Sequence, residues 1–109
     1  MKRGEVWTVA GGPDYAEKPR PAVVVQDDAF SDIASVTICA FTTTALSAPF
    51  ARIAVDPSPL NGLNALSQVM VDKVTTVPRS RLGRRVGHLS DADIARVNRA
   101  LLVFLGLAR

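Results

Sequence analysis

The chain is predicted to be mainly β with a C-terminal helix, built as a small and mostly antiparallel barrel. Several short β-branched runs recur along the chain, Gly- and Pro-rich turns separate them, and a single helical pattern occupies the end. With 109 residues, 48% hydrophobic and 21% charged, it is sized for one domain over 1–109 with a packed core rather than disorder.

Residues 4–10 alternate loosely around Val6, Trp7 and Val9 and read as the first strand. Gly11, Gly12, Pro13 and Asp14 supply turn chemistry, so 11–19 is expected to be a long polar loop, mobile enough to carry function. The organising stretch comes next: Lys18-Pro19-Arg20-Pro21-Ala22-Val23-Val24-Val25-Gln26-Asp27. Its β-branched residues read as a buried second strand over 20–26. Pro21 has no N–H for a ladder, which confines it to a strand's first residues or an edge. Arg20 therefore stands at the strand mouth, its guanidinium able to point at an anion. On these residues alone, an ordinary surface arginine is the plainer reading.

Residues 27–35 form a connection with one helical turn, and 36–41 a third strand ending in Thr42-Thr43-Thr44. A short fourth strand over 52–55 is stopped by Asp56-Pro57-Ser58-Pro59, and Asn61-Gly62 marks a hairpin-like reversal. Residues 67–71 read as a fifth strand, with 73–77 its continuation or a sixth, ended by Pro78. A helical turn over 80–83 and a short strand over 85–89 follow. Ser90 with Asp93 is a capping-box variant, and Asp91 and Asp93 suit the positive end of a helix. Ile94, Val97, Leu101, Phe104, Leu105 and Ala108 recur at helical spacing, one apolar face to close the open side of the sheet. Leu102, Val103 and Leu107 lie outside that stripe, and unpaired apolar surface of that kind points to a second chain.

The net charge of +3 is uneven: residues 1–55 hold five basic and six acidic side chains, residues 56–109 eight and four. The excess gathers at Arg79, Arg81, Arg84 and Arg85 and suggests a polyanion or an acidic protein partner. A solvated basic loop explains it as well. Cys39 is the single cysteine, so no intramolecular disulfide forms and no paired-cysteine metal site exists, which suits a reducing cytoplasm. The basic N-terminus lacks an apolar segment after it, and no signal peptide is expected. The longest apolar run, 100–107, is too short to span a bilayer.

His88 is the single histidine, so a histidine pair or a His-based triad has no second partner. No Gly-rich phosphate loop or metal-ligand cluster is present, and neither a metal nor another cofactor is expected. Asp27 and Asp28, adjacent at a strand end, tend to point apart and read as a solvated turn. What remains is Arg20 at one strand mouth and Thr42-Thr43-Thr44 at the end of another. Arginine offers paired donors to a phosphate and stabilises charge growing on its oxygens, while threonine offers a hydroxyl. RNA brings its own nucleophile in the 2′-OH, so such a site suits RNA cleavage without a metal or an enzyme nucleophile.

The order Met1-Lys2-Arg3-Gly4-Glu5-Val6-Trp7, then the Arg20-Pro21 strand, then a strand ending in Thr42, resembles the PemK/MazF-type toxins of bacterial type II toxin–antitoxin pairs. Ser67-Gln68-Val69-Met70-Val71-Asp72-Lys73-Val74-Thr75-Thr76-Val77-Pro78 and the Gly87-His88-Leu89-Ser90 lead into the helix carry the same resemblance. It implies an SH3-like small barrel, a homodimer and a metal-independent, sequence-specific endoribonuclease that is neutralised by an antitoxin protein. The family's catalytic arginine falls on Arg20 and its catalytic threonine on Thr42, with Thr43 and Thr44 leaving that register open. RNA contacts are expected from Lys18, Thr43, Gln68, Lys73, Arg79, Arg81, Arg84 and Arg85. Many members carry Gly-Ser-Glu-Gln before the arginine, whereas this chain has Gly12-Pro13-Asp14-Tyr15-Ala16-Glu17, which changes the loop thought to recognise substrate. The barrel also resembles CcdB-type gyrase poisons, although those lack the Arg-Pro signature and end in a Trp-Gly-Ile tail absent here. A barrel that binds RNA without cutting it is a third reading.

Overall fold

β3 (Ser35–Thr42) is the longest strand, and the rest of the sheet is assembled on it. The computed structural model describes residues 1–10 and 19–108, so the expected loop over 11–19 and Lys18 fall almost wholly outside the described residues. The other elements are β1 (Glu5–Val9), β2 (Arg20–Val24), β4 (Arg52–Val55), β5 (Ser67–Met70), β6 (Thr75–Pro78), β7 (Leu82–His88) and α1 (Asp91–Phe104). All pairing is antiparallel, in the order β4-β5-β3-β2-β1-β7, with β6 also on β3. One edge of β3 holds β2. The other edge is divided, with β6 along its first half and β5 at its end.

Alternation along β3 buries both faces, because successive side chains point to opposite sides. Cys39 and Phe41 enter one core with Val6, Val23, Ile53, Val55 and Val69, covered by Leu89 and by Val97 and Ala100 of α1. Val36 and Ile38 enter a second core with Ala22, Val24 and Val77, against which Trp7, Val9, Ala40 and Leu82 pack. That second set comes from β1, β2, β3, β6 and β7, so these five strands curl around it as a small barrel would. The ring is not closed by hydrogen bonds: β6 and β7 do not pair, and a 3-10 turn at Arg79–Arg81 joins them. The backbone groups at the seam are already used. Pro78 has no N–H, the Arg79 amide goes to Ala34, and the Arg81 carbonyl accepts from Ala10.

The predicted elements stand close to their expected places, with two departures. Pro21 is the second residue of β2, among a strand's first residues as expected, and the β2–β3 ladder begins only at Ala22, so its missing donor is not needed. Asn61-Gly62 is not a tight hairpin but part of a long loop between β4 and β5 that packs on β7. The Asn61 side chain accepts from Ser58 and Leu63 and donates to Asp56, while Gly62 takes φ +71°. A Cβ at Gly62 would land on the Val86 carbonyl oxygen. The helical stripe also ends early. Ser90 caps α1 by accepting from the Asp93 amide at 3.2 Å, and Val97 and Ala100 are buried, but Phe104 and Leu105 are 46% and 53% exposed. Helical spacing alone cannot say where the sheet beneath stops, and here packing on the core ends at Leu101.

Cys39 has no exposed surface, and burial pushes its thiol up to about 12. Reactivity requires the thiolate and access. The native protein should therefore resist alkylation by iodoacetamide at pH 8, while the protein in denaturant reacts fully within minutes. Rapid modification of the native state would contradict this packing.

Candidate functional site

The register of the sheet decides which side chains meet. Val9 pairs with Arg20, and Thr42 pairs with Gln68. Between β2 and β3 the ladder ends at Ala22↔Ala40, and the same register carried two residues further would set Arg20 opposite Thr42. The pairs Val9–Arg20 and Thr42–Gln68 thus stand at the same end of the sheet, as a row across β1, β2, β3 and β5. By strand alternation Arg20 shares a face with Ala22 and Val24, and Thr42 with Ala40 and Ile38, so both project at the open end of the second core.

Within the row each group is used differently. Arg20 is exposed and forms no ion pair with a described residue. The Thr42 hydroxyl oxygen accepts from the Thr44 amide at 3.2 Å, which leaves its own proton to be donated outward. Thr43 and Thr44 are exposed beyond the strand end. Gln68 is spent on the loop after β3: Oε1 accepts from the Leu46 amide at 3.1 Å, and Nε2 donates to the Leu46 carbonyl at 3.0 Å. Both polar ends of Gln68 thus hold the loop after β3.

Further ion pairs frame the row. Arg52 grips Asp72 through two bonds, of 2.8 and 3.2 Å, tying the start of β4 to the 3-10 turn at Val71–Lys73. The Arg52 guanidinium holds the Asp72 carboxyl below its usual range. On β1, burial pushes the Glu5 carboxyl up, but the Lys2 amide, the Trp7 indole N–H at 3.0 Å and Arg85 together outweigh it and leave it lowered.

The expected basic set is not one cluster. Arg79 donates to Ile33 at 3.3 Å, beside the start of β3 and far from Thr42. Arg85 is paired with Glu5 at 3.2 Å. Arg84 is exposed, its amide on the Thr8 hydroxyl. Arg81 lies nearest the row, since Leu82 pairs with Val9. Lys73 is exposed on the turn between β5 and β6, alongside the middle of β3. His88 sets Nδ1 at 3.1 Å from the Leu89 carbonyl, which can only accept, so that nitrogen carries the proton and the ring is tied to backbone. Asp27 caps the turn at Asp28–Phe30 and Asp28 accepts from the Arg3 amide, so the pair points apart as expected. Among the described residues no three metal-ligating side chains converge. Sequence reading missed the Glu5–Trp7–Arg85 cluster, for which two polar-capable residues two apart on one strand were the available signal.

Arg20 and Thr42 thus stand at the same end of a curled antiparallel sheet covered by one helix. The model of the PemK-like, MazF-like toxins of type II toxin–antitoxin systems matches residues 2–105, and the chain belongs to that family. It is 52% identical, over 99% of both chains, to a probable endoribonuclease MazF of Mycolicibacterium smegmatis. It is 28% identical, over 98% of both, to endoribonuclease MazF9 of Mycobacterium tuberculosis. Among solved structures, an endoribonuclease in complex with its cognate antitoxin from a mycobacterial species superposes with a TM-score of 0.82, at 27% identity, covering 100% of this chain and 98% of that one. These matches do not favour the CcdB-type gyrase poison.

The Arg52–Asp72 pair makes a pH prediction. Asp72 has a lowered folded value, so its stabilisation is complete above the unfolded carboxylate range near ~4 and is lost as pH falls through the folded value. Asp72→Asn should lower thermal stability at pH 7 and leave it nearly unchanged at pH 2.5. Equal losses at both pH values would show the pair to be irrelevant.

Proposed function

We propose that this toxin is a metal-independent, sequence-specific endoribonuclease that cuts single-stranded RNA, mRNA in the cell, and so stops translation and growth. The observation that carries the reading is the shared row of Arg20 and Thr42. The 2′-OH attacks the adjacent phosphorus and loses its proton to solvent, Arg20 offers two donors to the oxygens that gain charge, Thr42 hydrogen-bonds a phosphate oxygen or assists proton transfer, and the departing 5′-oxygen takes up a proton from solvent. The bond to the 5′-oxygen of the next nucleotide breaks, leaving a 2′,3′-cyclic phosphate and a 5′-hydroxyl. RNA supplies the nucleophile, so no residue of the chain need form a covalent intermediate. The relatives' endoribonuclease names support the reaction class.

The active species in this reading is a cytoplasmic homodimer. Leu102, Phe104, Leu105 and Leu107 leave 44%, 46%, 53% and 72% of their surface exposed on one helix end, an apolar patch suited to a second copy. Arg81, Arg84 and Lys73 are the exposed or half-exposed cations available to RNA along such a groove, with Lys18 and Thr43 completing the expected contacts. The natural inhibitor is an acidic antitoxin segment that folds onto the same cationic surface, so RNA and antitoxin compete. A structural relative is solved with its cognate antitoxin, which supports a partner of this kind.

Arg20→Ala should cut more slowly by on the order of 100-fold or more, by analogy with a lost oxyanion donor. Arg20→Lys should fail too, because an ammonium cannot reproduce the planar fork. Both should fold, since the side chain is exposed. Cleavage of a long RNA by the purified proteins, with thermal melts alongside, tests this. A wild-type rate in Arg20→Ala would make Arg20 ordinary surface.

A further inference from the structure

We propose that Gln68 is a positioning residue for cleavage: it pins Leu46 so that the loop after β3 holds the Thr42 hydroxyl in its donating orientation. The inference rests on the assignment of Arg20 and Thr42 as the reacting pair.

Three observations lead there. Gln68 is the cross-strand partner of Thr42, so its side chain leaves the sheet on the same face. Both of its polar ends bind one residue, the Leu46 amide and the Leu46 carbonyl, which is the pattern a neighbouring strand would make. Leu46 lies four positions after Thr42, and between them the Thr44 amide bonds the Thr42 hydroxyl. Apart from that turn bond and the Gln68 pair, segment 43–47 has no hydrogen bond to a strand among the described residues. Gln68 thus acts on Thr42 through Leu46 and Thr44 rather than by touching substrate.

The clamp is not needed by the cores. Gln68 belongs to neither hydrophobic cluster, and its two bonds are exposed, so they add little to net stability. Its effect falls on geometry. A side chain a fraction of an ångström out of place in the transition state loses far more rate than stability, with about 100-fold typical for a displacement of about 1 Å. The sequence carries the signal in Ser67-Gln68-Val69-Met70-Val71, where a single amide precedes an apolar run.

The test is single-turnover cleavage of an oligonucleotide carrying a cut site mapped with the wild-type protein. RNA affinity is measured separately on non-cleavable 2′-deoxy substrate. Gln68→Met keeps the bulk and removes both bonds. It should cleave about 10-fold more slowly or worse, with affinity within about twofold and unchanged melting and Cys39 protection. In a Thr42→Val background the same substitution should change the rate by less than about twofold, because the group it positions is gone. Gln68→Leu serves if Gln68→Met does not fold. A wild-type rate in the folded variant overturns the inference, as does a loss that adds fully to that of Thr42→Val. A loss confined to RNA affinity overturns it too, by making Gln68 an RNA contact. Wild-type rates in Arg20→Ala and Thr42→Val would overturn the site assignment itself, whereas losses there with none in Gln68→Met would overturn this inference alone.

Discussion

The register between β2 and β3 is the constraint on which the rest depends. Val23 lies against Cys39 on one face, and Ala22 against Ala40 on the other. Both faces are buried, one under α1 and one inside the curl of the barrel. A slip of one residue would carry Val23 and Cys39 to the wrong core and separate Arg20 from Thr42. The residues that stabilise the fold and those that bring the site together are therefore specified by the same pairing. This is why an exposed arginine at a strand's first residue is held in place although no described residue forms an ion pair with it.

Polar side chains then complete what the register begins. The chain has a formal net charge of +3, yet several cations are already engaged: Arg52 by Asp72, Arg85 by Glu5 and Arg96 by Asp93. Arg20 is left with its donors unspent toward described residues, at the end of the sheet where β3 ends in Thr42. Two clamps fix the loop that follows that hydroxyl, Gln68 near its start and the bidentate Arg52–Asp72 pair at its end. The Gln68 bonds are exposed and the Arg52–Asp72 pair is only partly buried, so each contributes modestly to stability, and their value here is in direction.

Much of this was legible in the sequence because it is local. β4 fell on the expected residues, and the turns at Asp28–Phe30 and Arg79–Arg81, the Ser90 cap and the division at Pro78 all follow from short-range chemistry. Arg20 and Thr42 were found through the Arg-Pro strand and its resemblance to a family. The structure adds that β2 and β3 are adjacent and antiparallel, which brings both residues to the same end of the sheet and which no spacing within a single segment reveals. What escaped the sequence is non-local. The gap between β6 and β7 depends on where the Arg79 amide and the Arg81 carbonyl find partners, in segments distant along the chain. Phe104 and Leu105 keep helical spacing past the point where the helix is covered. Arg79 to Arg85 look like one basic run, but the strand they enter turns them toward different neighbours. Gln68 read as a ligand-facing amide because its partner, Leu46, lies 22 residues away.

The central claim is that Arg20 and Thr42 cleave RNA by in-line attack of its own 2′-OH. Its most direct measurement is the chemistry of the new ends, made by digesting a long RNA in excess EDTA and identifying both termini by mass spectrometry. The account predicts undiminished cutting, with 2′,3′-cyclic phosphate on one side of each break and 5′-hydroxyl on the other. Ends bearing 5′-phosphate, or activity that disappears in the chelator, would contradict it.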